Sequence, residues 1–136
     1  SALERCRENY RANDQRLGDR GTLRGNAYQH VRRAAKAGQR LDGVILDVPP
    51  GPHRGAKSSF DGLLALAPHV GAMLALQGWV LCFFHHIDRS HETLERRFAE
   101  ASRVPLEVIW RGTSGEDFPE PTPTTRLRFS AMRLVA

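Results

Sequence analysis

The run Val44-Ile45-Leu46-Asp47 ends an apolar stretch in a carboxylate, and Val48, Pro49, Pro50, Gly51 and Pro52 follow at once. Proline lacks a backbone donor and fixes φ, so a chain this rich in it can neither extend a sheet ladder nor start a helix freely. An aspartate at that point is placed to accept a hydrogen bond or a proton from something outside the sheet. Two further strand ends carry polar groups or sharp turns: Gly25-Asn26-Ala27, and the stretch from Cys82 to His85 and His86. In an open α/β sheet, ligands bind outside the carboxyl ends of the strands, so the three together describe a site. Each also has a bland reading: Asn26 as a helix cap, Asp47 as the opening of a turn, and the two histidines as solvated loop residues.

Two other chemistries are tested by the same residues. His85, His86 and His91, with Asp88, could form a metal set. Neighbouring histidines on a strand point to opposite faces, however, which is poor chelating geometry, so no metal site is expected. Cys6 and Cys82 are the only cysteines, and no CxxC is present. Two cysteines make no disulfide framework, and two free thiols are expected.

The elements that position these groups are legible from periodicity. Leu3, Cys6 and Tyr10 have helical spacing in a helix ending near Asn13. Residues 21–27 read as a short strand-like piece ending in a turn. Tyr28, Val31 and Ala35 mark a second helix that stops at Gly38. Residues 41–48 form a continuous apolar strand of the kind buried on both faces. Residues 58–76 are helical by periodicity, with Pro68 expected to kink or split them. Residues 78–86 form another buried strand. Ser90 caps a helix with Leu94, Phe98 and Ala101 on its buried stripe.

Residues 106–110 form a strand. Pro119, Pro121 and Pro123 forbid regular structure in the loop after it. The last segment alternates with Leu127, Phe129 and Ala131 inward. Helices alternating with strands imply an α/β fold with a mostly parallel sheet and helices on both faces.

Composition bounds the rest. The chain has 136 residues, 40% hydrophobic and 26% charged, which is ordinary usage for a single globular domain spanning 1–136. No apolar run reaches the roughly 18–20 residues of a membrane span, and the start of the chain has no secretory apolar core. A soluble, cytoplasmic protein without a membrane partner is expected. The formal net charge is +5, with Arg5, Arg7, Arg11, Arg16, Arg20, Arg24, Arg32, Arg33 and Arg40 crowding the first third. That excess fits contact with nucleic-acid phosphates, and equally a solvated basic face.

Five runs, taken in order, carry a resemblance: "ALERCRENYRAND", "GNAYQHV", "LDGVILDVPPG", "GWVLCFFHH" and "GEDFPEPTPTTRLRFSAMRLV". They resemble the class I S-adenosylmethionine-dependent methyltransferases, most closely the 23S ribosomal RNA cytosine-5 methyltransferases. The resemblance implies a Rossmann-like methyltransferase sheet, mostly parallel with a final antiparallel strand, and S-adenosylmethionine as cofactor. It implies an RNA substrate, with ribosomal RNA the expected class.

By position, the resemblance places Asn26, with Ala27 beside it, at the cofactor, where the family has an aspartate contacting the adenine amino group. It places Asp47 and Pro49 in the family's D-P-P loop, beside the methyl group and the target base. Val48 and Pro50 depart from that loop. Cys82 falls one or two positions before the family's nucleophilic thiol, which leaves Phe83, Phe84 or His85 at that place.

The family's first two strands and its glycine-rich turn have no counterpart among these residues. The expectation is therefore the C-terminal part of a larger catalytic domain. A missing N-terminal half, or another chain, would complete the fold and fill a hole between the strand at 21–25 and the strand at 42–47. The alternative is a catalytically inactive Rossmann-like domain that binds RNA or a protein partner.

Overall fold

The computed structural model describes residues 2–15, 21–49, 58–85, 89–115 and 127–135. The described residues form helices α1 (Ala2–Ala12), α2 (Ala27–Lys36), α3 (Ser59–Met73) and α4 (His91–Ser102). They also form strands β1 (Leu41–Leu46), β2 (Leu74–Phe84), β3 (Leu106–Thr113) and β4 (Arg128–Leu134). Pro50 to Gly55, His86, Asp88 and the prolines Pro119, Pro121 and Pro123 lie outside the described residues.

The chain divides into two compact units, residues 1–30 and 31–136, with α2 running across the boundary. In the first unit, Arg7 Nε donates to Thr22 Oγ1 at 3.1 Å. The strand expected at 21–25 is absent. A strand is made by cross-strand hydrogen bonds, and this segment joins no ladder among the described residues. Gly25, at φ +139, turns the chain into α2 instead.

The second unit is built on one four-stranded sheet in the order β1-β2-β4-β3. β1 pairs parallel with β2, and β4 pairs antiparallel with both β2 and β3. Three strands therefore run one way and β4 runs against them. The fold is α/β with a mixed sheet, in which the last strand runs antiparallel between β2 and β3. Residues 21–25 add no strand to this sheet, and among the described residues it ends at β1.

The register assigns each side chain to a face. Val44, Leu46, Val80, Cys82, Phe84, Ser130 and Met132 share one face by pairing. α3 and α4 cover that face: Phe60 of α3 meets Phe84 edge-on at 6.0 Å, and Glu95 of α4 accepts from Ser130 Oγ at 2.7 Å. The helices also pack on each other. A Cβ at Gly71 would collide with the carbonyl of Ser102, so only glycine allows that approach. The core is accordingly Leu63, Ala67, Val70, Val80, Leu94, Phe98 and Met132, all essentially buried.

Five expectations change here. The strand at 41–48 is buried on one face only, since Ile45 is 62% exposed on the other. β2 likewise alternates, with Trp79 partly exposed and Val80 and Cys82 buried. β4 has the opposite phase from the one expected: Ser130 and Met132 are buried, while Phe129 and Ala131 face away. Serine reads as polar in a sequence, but here Glu95 satisfies its hydroxyl.

Finally, Pro68 does not split α3, which runs unbroken from Ser59 to Met73. The buried stripe Leu63, Ala67, Val70 holds the helix across the missing donor, whose cost is about 3 kcal/mol. The helix ends three residues before the expected limit, because Leu74 already pairs with Leu41. Gln77, at φ 63, then carries a bulge into the main run of β2.

Candidate functional site

Asp47 follows directly on the last residue of β1, and His85 on the last residue of β2. Leu46 pairs with Cys82 in the parallel ladder, so the two strands bring their carboxyl ends out side by side. There His85 Nε2 lies 2.6 Å from Asp47 Oδ1. Two acceptors would repel at that distance, so the imidazole carries its hydrogen on Nε2 and donates to the carboxylate. The side chain of Asp47 is 61% exposed and that of His85 20%. The carboxylate is therefore accessible and the imidazole behind it is largely packed.

Local structure fixes both groups. Ser59, buried in the first turn of α3, donates through Oγ to the His85 carbonyl at 3.4 Å. That turn is itself capped: Ser58 Oγ accepts from the Asp61 amide and donates to Asp61 Oδ2 at 2.9 Å. Val48, next to Asp47, is buried, so the backbone leaving β1 is anchored while Asp47 projects. Pro49 continues this exit with no donor to offer a ladder.

The other sequence-derived site residues, Asn26 and Ala27, belong to the first compact unit. Asn26 Oδ1 accepts from the Tyr28 amide at 2.9 Å and the Gln29 amide at 3.4 Å, capping α2, which begins at Ala27. The oxygen that was to receive an adenine amino group is thus engaged by the helix. The side-chain Nδ2 donates to no described residue and can serve a ring nitrogen instead.

Cys82 is wholly buried on the helix-covered face, and burial pushes its thiol far up into the inert range. Both cysteines are free thiols, as expected. Among the described residues no group of three histidine, cysteine or acidic side chains is placed to hold a metal ion. His91 spends its Nε2 on the Gly112 carbonyl at 3.1 Å. No described helix is long and apolar enough to cross a membrane.

The sequence flagged Asp47 and His85 separately and missed their bond. The signal was present in outline: both residues end apolar strand runs. Only the ladder register shows that these ends are neighbours. A second group was also missed. Glu95 receives Arg111 Nε at 2.8 Å and Nη2 at 2.6 Å, besides Ser130 Oγ. Burial by itself raises this carboxyl. The bonds from Arg111 and Ser130, with the charges of Arg111 and His91, outweigh it, and the net shift is downward. This group ties α4 to β3 and β4.

No protein-family model and no curated protein sequence matches the chain. Solved structures do. One, assigned as a methyltransferase and crystallised with SAH, superposes with a TM-score of 0.73 at 12% identity over 93% of this chain. Another, assigned as an S-adenosylmethionine-dependent methyltransferase from Streptococcus mutans, gives 0.72 at 12% identity over 92%. The fold is that of these methyltransferases. A methyltransferase from Pyrococcus furiosus superposes at 0.50 with 15% identity, over 96% of this chain and 56% of its own. The chain spans 35% and 34% of the length of the first two.

Proposed function

We propose that this chain is part of an S-adenosylmethionine-dependent methyltransferase that transfers a methyl group to a base in RNA, with ribosomal RNA the expected class. The observation that carries the reading is Asp47, exposed at the carboxyl end of β1 and bonded to His85 at the end of β2, on a sheet with a methyltransferase fold. In an α/β sheet this is the edge where ligands bind. The bound cofactor would supply an electrophilic methyl group. Asn26, at the start of α2, is suited to hold its adenine, and Asp47 with Pro49 to face the target base. The basic composition, +5 overall, supports a phosphate-rich substrate.

The same reading includes a partner for the open sheet. β1 is an edge strand among the described residues, and apolar groups stand exposed beside it. A further segment of a longer enzyme, or another chain, would cover them. The match to about a third of the length of the solved methyltransferases supports this.

Equilibrium dialysis of the full-length protein against labelled S-adenosylmethionine, followed by turnover on unmodified ribosomal RNA transcripts, tests the reading. Binding is expected, and Asp47→Ala should lower turnover while leaving cofactor affinity in place. The second reading, an inactive domain that binds RNA or protein, is favoured by the use of Asn26 Oδ1 as a helix cap. Wild-type protein that binds no cofactor would establish it and overturn the first.

A further inference from the structure

From the charge pattern of α2 we infer that its outward stripe, Arg32, Arg33 and Lys36, is a docking surface for the phosphate backbone of an RNA strand. This rests on the RNA reading above and adds a contact surface separate from Asp47 and His85.

At about 3.6 residues per turn, Gln29, Arg32, Arg33 and Lys36 fall on one side of α2, and Tyr28, Val31, Ala34 and Ala35 on the other. The first four are exposed and the second four half-buried. The Tyr28 hydroxyl is fully enclosed. The apolar side is therefore partly covered, and the cations alone meet solvent.

Nothing nearby neutralises them. α2 contains no acidic residue. The other basic helices interleave the two signs: α1 carries Glu4 and Glu8 among Arg5, Arg7 and Arg11, and in α4 Arg96 donates to Glu100 at 3.1 Å. Among the described residues no carboxylate pairs with Arg32, Arg33 or Lys36. Asp42 in β1, the next acidic residue along the chain, bonds none of them.

Like charges one turn apart repel, and Lys36 stands one turn from both Arg32 and Arg33. The carbonyl end of a helix favours cations in its last turn, which accommodates Arg33 and Lys36. It offers little to Arg32, and it does not explain a stripe without any counter-charge. A polyanion does. Arg32 and Lys36 are offset by about 6 Å along the axis, a spacing that suits successive phosphates of one strand. Neutralising those phosphates releases their counterions, so the attraction is independent of base identity.

An anionic lipid surface fits less well. An interfacial helix must bury its apolar side, and here that side is partly covered and holds only two residues larger than alanine, Tyr28 and Val31. α2 leads to the amino end of β1, whereas Asp47 and His85 leave the carboxyl ends of β1 and β2. The stripe therefore sets affinity for RNA and not the chemistry.

The test measures binding of the full-length protein to unmodified ribosomal RNA transcripts over a series of salt concentrations. Arg32→Gln/Arg33→Gln/Lys36→Gln should weaken binding on the order of 10- to 100-fold at low salt. It should also reduce the slope of log affinity against log salt by about 2–3. Arg32→Lys/Arg33→Lys, which keeps the charges, should keep the native slope. So should Arg96→Gln/Arg133→Gln, which removes exposed cations from α4 and β4. Equal loss in that control and in the triple variant would reduce the effect to net charge and overturn the inference. A native slope in the triple variant would overturn it and leave the RNA reading standing. Wild-type protein that binds no RNA at any salt would overturn the RNA reading and the inference with it.

Two further measurements fix the assignment. Acetylation of Lys36, read by mass spectrometry on the unsubstituted protein, is independent of any folding defect in a variant. RNA should protect Lys36, and equal acetylation with and without RNA would overturn the contact. Phosphatidylserine vesicles supply the competing partner: a triple variant that loses vesicle binding and keeps RNA binding would give the stripe to a membrane instead.

Discussion

The two faces of the sheet are made from the same strands and have different fates. On one face, Val80, Cys82, Phe84, Ser130 and Met132 are at most 1% exposed beneath α3 and α4. On the other, Phe83, Phe129 and Trp110 form an aromatic row, with Trp110 and Phe129 centroids 5.1 Å apart and Phe83 and Phe129 5.6 Å apart, and Trp79 lies on the same face. There Ile45 remains 62%, Trp79 39% and Trp110 53% exposed. Both faces are apolar, so hydrophobicity alone does not separate them. The difference is that helices cover one face and aromatic rings pack side by side on the other, where Gly43 and Gly112 leave room for Trp79 and Phe129. An apolar surface of this kind marks an interaction site more often than a solvent boundary.

That contrast can be broken by substitution, and the largest effects belong to the covered face. Phe98→Ala should cost about 3–5 kcal/mol in urea unfolding, because a wholly buried ring is lost between α4 and the sheet. Glu95→Ala should follow at about 3 kcal/mol. It strands Ser130 without a buried acceptor and Arg111 without its two-bond partner.

The same carboxylate sets a pH signature. Its folded-state value is depressed, so the stability it contributes is present above the free-carboxyl value of about 4.3 and is lost as pH falls through the lowered one. Urea midpoints measured downward from pH 6 should fall more steeply in the native chain than in Glu95→Gln. Matching slopes would mean that Glu95 does not bind its partners in solution.

Gly71→Ala should cost about 1–3 kcal/mol, since α3 and α4 must separate to admit the methyl group against the Ser102 carbonyl. On the open face, Trp110→Ala should cost only about 1 kcal/mol, the scale of one aromatic pair. A loss as large as that of Phe98→Ala would show that the open face is covered in the isolated chain and would remove the contrast.

Much of the fold was legible in the sequence. Helical spacing placed α1, α2 and α4 closely, and Ser90 caps α4 as expected, accepting from the Thr93 amide at 3.3 Å. These are local features, settled by side chains three or four residues apart and by the first turn of backbone donors. The failures are all non-local. Residues 21–25 have the composition of a strand but no ladder partner among the described residues. The phase of β4 follows the position of Glu95 on α4, thirty-five residues earlier. α3 survives Pro68 because its buried stripe is held from outside the helix.

The site divides in the same way. Asp47 at the end of an apolar run, with proline after it, was visible in the sequence, and so was Asn26 before a helix. What Asn26 does with its oxygen was decided by the amides of Tyr28 and Gln29, which reach it only once α2 has formed. The Asp47–His85 bond joins residues thirty-eight apart in the chain.

The sequence by itself determined the periodicities, the caps, the strand ends and the number of thiols. These depend on residue type and short-range spacing, which a chain carries unfolded or folded. The tertiary structure alone decided which face of each strand was sealed, which thiol became inert and which histidine met Asp47. Those outcomes depend on ladder register and helix placement, and a shift of one residue in either would have reversed them.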